Sequence, residues 1–220
     1  MEVKFNKQLD KEVYILGELH GASINPTVIL KLLKMLDIKA VAFEWPASWQ
    51  LQLNQPEINY KKLLAAFNTL KDGRALPEHI VLIKRLRKRK VKIFAMDTYF
   101  STDSFNWNAR DKTMAHRVIA IRKSTGNAPL LIVVGRLHAR KYSFYLNKKM
   151  YIPLVSHLQQ EKVSFCIRYG SGKILNLGEK LVIDPVAKKI TGKVEDIIIY
   201  KSRSKYFDFD VFVPSTTKSS

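Results

Sequence analysis

The sequence has few of the features that mark exported and membrane-inserted proteins. It contains one cysteine, Cys166, so no internal disulfide can form and a reducing compartment is expected. The N-terminal residues lack the basic start, apolar stretch and small-residue cleavage site of a signal peptide. No uncharged apolar run approaches the roughly 18 residues expected of a transmembrane helix. We therefore expect a cytoplasmic protein with no membrane span.

Two motifs that carry catalysis in large enzyme classes are also missing. There is no Gly-x-x-x-x-Gly-Lys-Ser/Thr loop, which argues against a phosphate-loop nucleotide hydrolase. There is no Gly-x-Ser-x-Gly elbow, which argues against a serine hydrolase of the fold that carries it. Cys166 lies in an apolar, strand-like run without a thiolate-stabilising motif, so we interpret it as a buried structural thiol.

Acidic residues are scarce: 19 Asp and Glu stand against 38 Lys and Arg, which gives a formal net charge of +19. Such a balance favours an acidic partner, whether nucleic acid, membrane surface or anionic substrate. The densest basic run is Lys84–Lys90, with Lys92 just beyond it. We interpret this run first as the solvated end of a helix, whose negative pole attracts cations. A phosphate-binding patch is the alternative, and a nucleic-acid partner rests on charge alone.

The content and spacing of apolar residues indicate one packed α/β domain. Apolar residues make up 46% of the 220 residues, enough for a single core of ordinary size. Short apolar runs alternate with segments of helical periodicity, which is typical of a mainly parallel central sheet flanked by helices. The predicted strands are Val13–Leu16, Ala40–Phe43, Val91–Ala95 and Leu130–Val134. The predicted helices are Pro26–Leu36, Tyr60–Leu70, Pro77–Lys90 and Asn108–Lys123.

The pattern changes after about residue 160, where strand-like segments follow one another with little helix between them. These segments are Val163–Arg168, Lys173–Leu177, Ile197–Tyr200 and Asp210–Val213. No linker-like stretch sets them apart, so we expect one α/β domain over residues 1–213 with a β-rich C-terminal portion. The Ser- and Thr-rich segment 214–220 is expected to be a flexible tail.

A short motif occurs twice, each time directly after an apolar strand. Its two copies are Gly17-Glu18-Leu19-His20 and Gly135-Arg136-Leu137-His138. Glycine permits a tight exit from the strand and a close approach of backbones, and the histidine then lies just past the strand's end. A lone histidine at such a turn is more often structural than catalytic. Two in matching contexts favour a functional site.

Two carboxylates follow the other predicted strands in a similar way. Glu44 comes after Ala40–Phe43, and Asp97 comes two residues after Val91–Ala95. The carboxyl ends of parallel strands share one edge of a sheet, so we expect Glu44 to meet His20 and His138 in one cleft there. Imidazoles and carboxylates can act as general base and acid, or ligate a divalent metal. The alternatives are a helix cap for Glu44 and a turn for Asp97.

Arg110 and Asp111 form a further candidate pair at the start of a predicted helix. Their simplest interpretation is an exposed ion pair, but the apolar face of the same helix lies close by. Three other histidines are weaker candidates, because no motif surrounds them: His79, His116 and His157.

The ordered set of motifs resembles one superfamily. It joins erythromycin esterase-like hydrolases, ChaN-type haem-binding proteins and the Tiki/TraB metal-dependent proteases. The segments that carry the resemblance are Gly17-Glu18-Leu19-His20, Glu44, Arg110-Asp111-Lys112-Thr113-Met114-Ala115 and Gly135-Arg136-Leu137-His138-Ala139. The ending Phe207–Pro214 is similar to the terminal strand of ChaN-like and esterase-like members. The resemblance thus spans nearly the whole chain.

The resemblance implies an α/β fold whose motif residues line one cleft. In esterase-like members it implies that His20 activates water, with Glu18 and Glu44 around it. In Tiki-like members the two Gly-x-x-His motifs and acidic residues imply a metal-dependent peptidase site. In ChaN-like members the same fold implies haem binding. Fold alone does not choose between these functions.

The first hypothesis is a hydrolase that acts on an ester or amide bond of a small-molecule or peptide substrate. His20 would be the general base, and Glu18 or Glu44 would orient it. Arg110, together with His138, would stabilise the developing oxyanion. In the metal-dependent version, the ligands of a divalent metal would be His20, His138, Glu44 and Asp97.

The alternative is a binding protein without catalysis, whose ligand is haem or another anionic molecule. An aromatic wall after Asp97 could hold such a ligand, with lysine or arginine side chains on its carboxylates; its members would be Tyr99, Phe100, Phe105 and Trp107. A third alternative, a nucleic-acid-associated basic protein, rests on the net charge.

Overall fold

The central feature is a seven-stranded sheet flanked by helices on both faces. The computed structural model describes residues 11–70, 72–97, 106–170 and 198–213. The strand order is β3-β2-β4-β1-β7-β9-β8, and all neighbouring pairs are parallel except β8 with β9. The strands are β1 (Val13–Glu18), β2 (Ala40–Pro46), β3 (Lys92–Asp97), β4 (Leu130–Gly135), β5 (Phe144–Leu146), β6 (Lys149–Tyr151), β7 (Lys162–Tyr169), β8 (Ile198–Lys201) and β9 (Phe209–Val213). Strands β5 and β6 form a separate antiparallel hairpin.

The helices fill the connections between strands and cover the two faces of the sheet. They are α1 (Asn25–Met35), α2 (Gln50–Leu53), α3 (Tyr60–Thr69), α4 (Pro77–Lys88), α5 (Trp107–Ser124) and α6 (Leu154–His157). Helices α1, α3 and α4 pack on one face, and α5 and α6 pack on the other. Proline stands in the first turn of α1 and α4, where its missing N–H has no helical partner. None of the described helices is long and apolar enough to cross a membrane.

The core is built by alternation of side chains along each strand. In β1, Tyr14 and Leu16 join the core on the α1, α3 and α4 face, while Val13 and Ile15 join the core on the α5 face. All four are buried, because a central parallel strand has helices on both sides. Buried Cys166 lies in β7, in the second of these cores, where burial raises the pKa of its thiol.

The predicted α/β architecture is confirmed, with corrections at the ends of elements. Strand β1 continues to Glu18 and β2 to Pro46, so Glu18 and Glu44 lie inside strands and not in the turns after them. The hairpin β5–β6 was not predicted. Its turn residues Asn147 and Lys148 both have positive φ, and Asn-Lys is a weaker turn signal than Asn-Gly. The predicted strand Lys173–Leu177 and tail 214–220 lie outside the described residues.

Candidate functional site

The two Gly-x-Leu-His motifs lie side by side. Strands β1 and β4 are neighbours in register, with Glu18 opposite Gly135. Neither Gly17 nor Gly135 has a positive φ, so the turn itself does not require glycine there. Glycine is required there by the lack of space, because a Cβ on Gly17 would lie 2.8 Å from the Cβ of Ala139. A Cβ on Gly135 would lie 3.0 Å from Nε2 of His20 and 3.5 Å from Cδ2 of His138. Both glycines therefore allow the motifs, and their imidazoles, to come together.

This contact gives a direct test of the arrangement. We expect Gly135→Ala to displace the His20 imidazole, because the added methyl group would stand closer to Nε2 than ordinary packing allows. The ring has to move by only a few tenths of an ångström. Since a misplacement of about 1 Å can cost on the order of 10²-fold in rate, we expect a measurable loss below that size. If the hydrolase hypothesis holds, the measurement is kcat/KM on an ester or amide that the protein turns over. Gly126→Ala is the control. Position 126 has open space around it but a φ of +68°, so that control tests for backbone strain without touching the site. An equal loss of kcat/KM in both variants would contradict a specific contact between Gly135 and the His20 imidazole.

His20 is held between two buried carboxylates. Its Nδ1 lies 3.2 Å from Oε1 of Glu18, within hydrogen-bond distance. Its Nε2 lies 3.6 Å from Oε2 of Glu44, beyond a direct hydrogen bond. Burial alone would lower the pKa of His20, but the hydrogen bond with Glu18 and the charges of both glutamates raise it. The carboxylates thus fix the ring and favour its protonated form.

Glu44 accepts hydrogen bonds from both the backbone and the side chains around it. Its Oε2 accepts the N–H of Gly135 at 2.8 Å, and its Oε1 accepts an N–H of Arg110. His138 Nε2 lies 3.4 Å from the same Oε1. Burial would raise the pKa of Glu44, but the neighbouring imidazole and guanidinium groups lower it well below its usual range. Glu44 is therefore an ionised carboxylate at the centre of the cluster.

Arg110 is buried, and its guanidinium donates hydrogen bonds to three residues of the site. Its Nε and Nη2 donate to the two oxygens of Asp97 at 2.9 and 2.7 Å, a bidentate pair. It also donates to Glu44, and its Nη1 donates to Nε2 of His138 at 3.2 Å. The expectation of an exposed ion pair at positions 110 and 111 is wrong, since both residues are buried. The geometry also does not support Arg110 or His138 as donors to an oxyanion, because their side chains are only 4% and 5% exposed and a substrate cannot reach them.

Asp111 fixes the second histidine. Its Oδ1 accepts the Nδ1–H of His138 at 2.6 Å, and its Oδ2 accepts the hydroxyl of Tyr151 and the N–H of Leu154, both at 2.7 Å. Burial and the charge of Asp111 raise the pKa of Tyr151, so the tyrosine stays a hydrogen-bond donor. The residues Arg110 and Asp111, one step apart on α5, thus hold Glu44 and His138 respectively.

Arg74 belongs to the same cluster, although no sequence motif marks it. Its Nη1 donates to Oδ2 of Asp97 at 2.6 Å, and its Nε donates to Asp72 at 2.6 Å. The segment is placed by Gly73, whose φ of +75° suits glycine and whose carbonyl accepts the N–H of Gly21 at 2.8 Å. The sequence signal near Arg74 is the Asp72-Gly73 pair that precedes it. This pair predicts a turn but does not predict which residues the Arg74 side chain contacts.

Accessibility separates the cluster into two groups. The side chains of His20 and Arg74 are 19% and 18% exposed. The remaining members are 5% exposed or less: Glu18, Glu44, Asp97, Arg110, Asp111 and His138. Of these eight side chains, His20 and Arg74 are placed to meet a molecule arriving from solvent, and Asp72, which holds Arg74, is 36% exposed.

The proposed metal ligands do not form a metal site in this arrangement. Among the described residues, no group of three or more His, Cys, Asp or Glu side chains is placed to hold a metal ion. Oε1 of Glu44 and both oxygens of Asp97 are bound by the guanidinium groups of Arg110 and Arg74, whereas Oε2 of Glu44 accepts the N–H of Gly135. A divalent cation at Oε1 of Glu44 or at Asp97 would have to displace a guanidinium group.

The other candidates fall outside the cluster. His79 is buried against Trp45 and Phe67, and burial lowers its pKa to about 3, so it is a neutral core residue. Of the predicted aromatic wall, Tyr99, Phe100 and Phe105 lie outside the described residues. Trp107 begins α5, and its ring centroid is 5.8 Å from that of His138.

Comparison with known proteins supports the fold. No family model and no curated protein matches the chain. Its structure is similar to an erythromycin esterase mutant, EreC, in an open conformation (TM-score 0.65, 11% identity, 96% of this chain and 92% of that one). It is also similar to the type III effector HopBA1 (TM-score 0.54, 11% identity, 93% and 88%). A haem-bound ChaN of Campylobacter jejuni matches with a TM-score of 0.44 at 14% identity, over 94% and 89%. The first two TM-scores indicate a shared architecture, and identities this low transfer no activity.

Proposed function

We propose that the protein hydrolyses an ester or amide bond, with His20 as the general base. The observation that carries this proposal is the position of His20. It is an imidazole held through Nδ1 by buried Glu18 and flanked by ionised Glu44, and its side chain is 19% exposed. A base, a carboxylate that fixes its tautomer and a surface open to substrate are the requirements for activating water. The fold shared with an erythromycin esterase supports the proposal at the level of architecture.

In the proposed reaction, Nε2 of His20 takes a proton from a water molecule as the water oxygen attacks the carbonyl carbon. The carbonyl oxygen becomes the oxyanion of a tetrahedral intermediate. The imidazolium then returns its proton to the leaving alcohol or amine as the bond to carbon breaks. Glu44, which stays ionised, stabilises the imidazolium in between.

The cation beside the oxyanion is Arg74 in this proposal, in place of Arg110. Arg74 is the partly exposed guanidinium of the cluster, whereas Arg110 is buried among carboxylates. Its bonds to Asp72 and Asp97 hold it in place before the substrate arrives. A preorganised donor of this kind costs no reorganisation during the reaction, and removal of one such donor typically costs about 10²–10³-fold in kcat.

The remaining members are positioning residues. Arg110 holds Glu44 and bridges it to Asp97, and Asp111 with Tyr151 holds His138 under Arg110. His138 thus acts through Arg110 and does not itself meet the substrate.

A panel of chromogenic esters and amides tests the proposal. We expect at least one substrate to be turned over by the purified protein and turnover to persist in the presence of a chelator, because guanidinium groups bind Oε1 of Glu44 and both oxygens of Asp97. Loss of all turnover on chelation, restored by a divalent metal, would contradict the metal-free version. Absence of turnover across both bond types would contradict the hydrolase assignment.

The pH dependence should carry the signature of His20. A general base acts in its neutral form, so activity should rise with pH through the pKa of that histidine. Since Glu18 and Glu44 raise this pKa, the midpoint should lie above about 6.5, the ordinary value for histidine. In Glu44→Gln one of these charges is gone, and the midpoint should move to lower pH. The measurement is kcat/KM against pH, and a midpoint that Glu44→Gln leaves unchanged would argue against His20 as the titrating base.

A further inference from the structure

Positive charge is concentrated on the helical layer formed by α1, α3 and α4. Helix α4 contacts both α1 and α3, so the three helices form one continuous surface. They carry eight cations, two on α1, two on α3 and four on α4, and all but Arg87 are exposed. We call these side chains the cationic face: Lys31, Lys34, Lys61, Lys62, Lys84, Arg85, Arg87 and Lys88.

Among the residues that the structure describes, carboxylates do not balance the charge of the cationic face. The three helices contain one acidic residue, Glu78, in the first turn of α4, away from the cations that follow it. Within the described ranges, no carboxylate lies within 4 Å of any cation of the face. Mutual repulsion between these side chains is therefore left uncompensated, at a cost to stability that a bound polyanion would remove.

Helix dipoles do not account for the pattern. Cations in a last turn complement the negative end of a helix, which explains Arg85 and Lys88 on α4 and Lys34 on α1. Lys61 and Lys62 lie in the first turn of α3, where the positive end of the dipole disfavours cations. Their presence there, beside the cations of α4, points to a ligand outside the helix.

The shape and chemistry of the face fit phosphates better than a lipid surface. Membrane-surface helices insert an apolar face, but here the apolar faces are packed in the core, as for Leu82, Ile83 and Leu86. The large apolar side chains exposed on these helices are Met35 and Val81, each 47% exposed. Lys84 and Lys88 stand one turn apart on α4, about 5–6 Å between Cβ atoms, which presents a row of cations to a charged backbone.

We propose that the cationic face binds a nucleic acid through its phosphate backbone. The C-terminal ends of α1 and α4 precede the starts of β2 and β3, so much of the charge lies toward the amino edge of the sheet. The candidate site lies at the carboxyl edge, where β1 and β4 end. Nucleic acid could therefore be held while the site stays open, and the proposal does not depend on the hydrolase assignment.

The experiment compares two variants of equal charge. The face variant carries Gln at Lys61, Lys62, Lys84, Arg85 and Lys88. The control variant carries Gln at five exposed cations on other elements: Lys112, Lys148, Lys201, Arg203 and Lys205. Each removes five charges from the net +19. Binding of a fluorescein-labelled DNA duplex is followed by anisotropy as a function of salt, and thermal unfolding of each variant confirms that it is folded.

The wild-type protein and the control variant should both bind the duplex, with affinity that falls steeply with salt. Five phosphate contacts predict a slope of about −4.5 in log K against log salt, or roughly 500-fold between about 50 and 200 mM salt. In the face variant the dependence on salt should become shallower, with the magnitude of the slope reduced by about 4.5. The affinity at low salt should drop at least 100-fold.

Three results would overturn the proposal. The first is no binding of duplex by the wild-type protein at low salt. The second is equal loss in the face and control variants, since this would mean that net charge alone acts. The third is retention on phosphatidylcholine vesicles containing phosphatidylserine together with no retention of DNA, since this would assign the face to a membrane.

Discussion

His20→Ala should abolish nearly all turnover while the protein stays folded. General-base catalysis contributes roughly 10²–10⁴-fold, and the loss in kcat should be of that order, since no other imidazole of the cluster reaches solvent. The fold should tolerate the change, because the side chain is partly exposed at a strand exit and its removal leaves no large apolar cavity. The measurement is kcat and KM on a substrate found in the ester and amide panel, beside the unfolding transition of each variant.

Two further variants separate a catalytic role from a structural one. His20→Gln keeps a hydrogen-bond donor for Glu18 but provides no base, so it should be as inactive as His20→Ala. Added imidazole should restore part of the activity of His20→Ala, because it can occupy the vacated space and accept a proton. His116→Ala, at an exposed position on α5, is the matched control and should have wild-type activity. Wild-type rates in His20→Ala would end the hydrolase assignment and leave the cleft as a binding pocket, testable by titration with haem.

Arg110→Ala should be the most destabilising single substitution in the cluster. It leaves the buried carboxylates of Glu44 and Asp97 without the guanidinium that lies between them, and breaking a buried ion pair in this way costs about 3–5 kcal/mol. Arg74 also contacts both carboxylates, so we expect the lower end of that range. The measurement is the free energy of unfolding of the wild type and of Arg110→Ala, each from urea titration.

The dependence on pH distinguishes a lost charge from lost packing. The pKa of Glu44 is lowered in the folded protein, so its ionised form contributes stability at neutral pH that is lost as the carboxylate is protonated. Without Arg110 this contribution shrinks, and the difference between wild type and Arg110→Ala should narrow as the pH falls below about 4.5 toward the lowered pKa of Glu44. Lys112→Ala, an exposed cation on the same helix, should cost under about 0.5 kcal/mol at any pH. A difference for Arg110→Ala that stays constant with pH would indicate a packing defect.

The sequence was sufficient for the architecture because periodicity is a local property. Runs such as Leu130–Val134 are too apolar for a surface and too short for a helix, and their alternation with helical segments leads to a mainly parallel sheet. The repeated Gly-x-Leu-His motif and the position of Glu44 near a strand end are also local features, so the sequence was sufficient to predict them. The ends of β1 and β2 were placed too early, since polar Glu18 and Glu44 interrupt the apolar pattern while the backbone continues as strand.

What the tertiary structure alone decided is which groups touch each other and which reach solvent. The strand order places β1 beside β4, although more than 110 residues separate them in the chain, and this register brings His20 against Gly135. Arg74 and Tyr151 enter the cluster from an irregular segment and a hairpin whose sequences carry no motif. Burial also reassigned Arg110, because its guanidinium is only 4% exposed and out of reach of a substrate, whereas that of Arg74 is 18% exposed. Periodicity specifies which face of an element is apolar, whereas the partners of a buried charge come from distant elements and are fixed only by their packing.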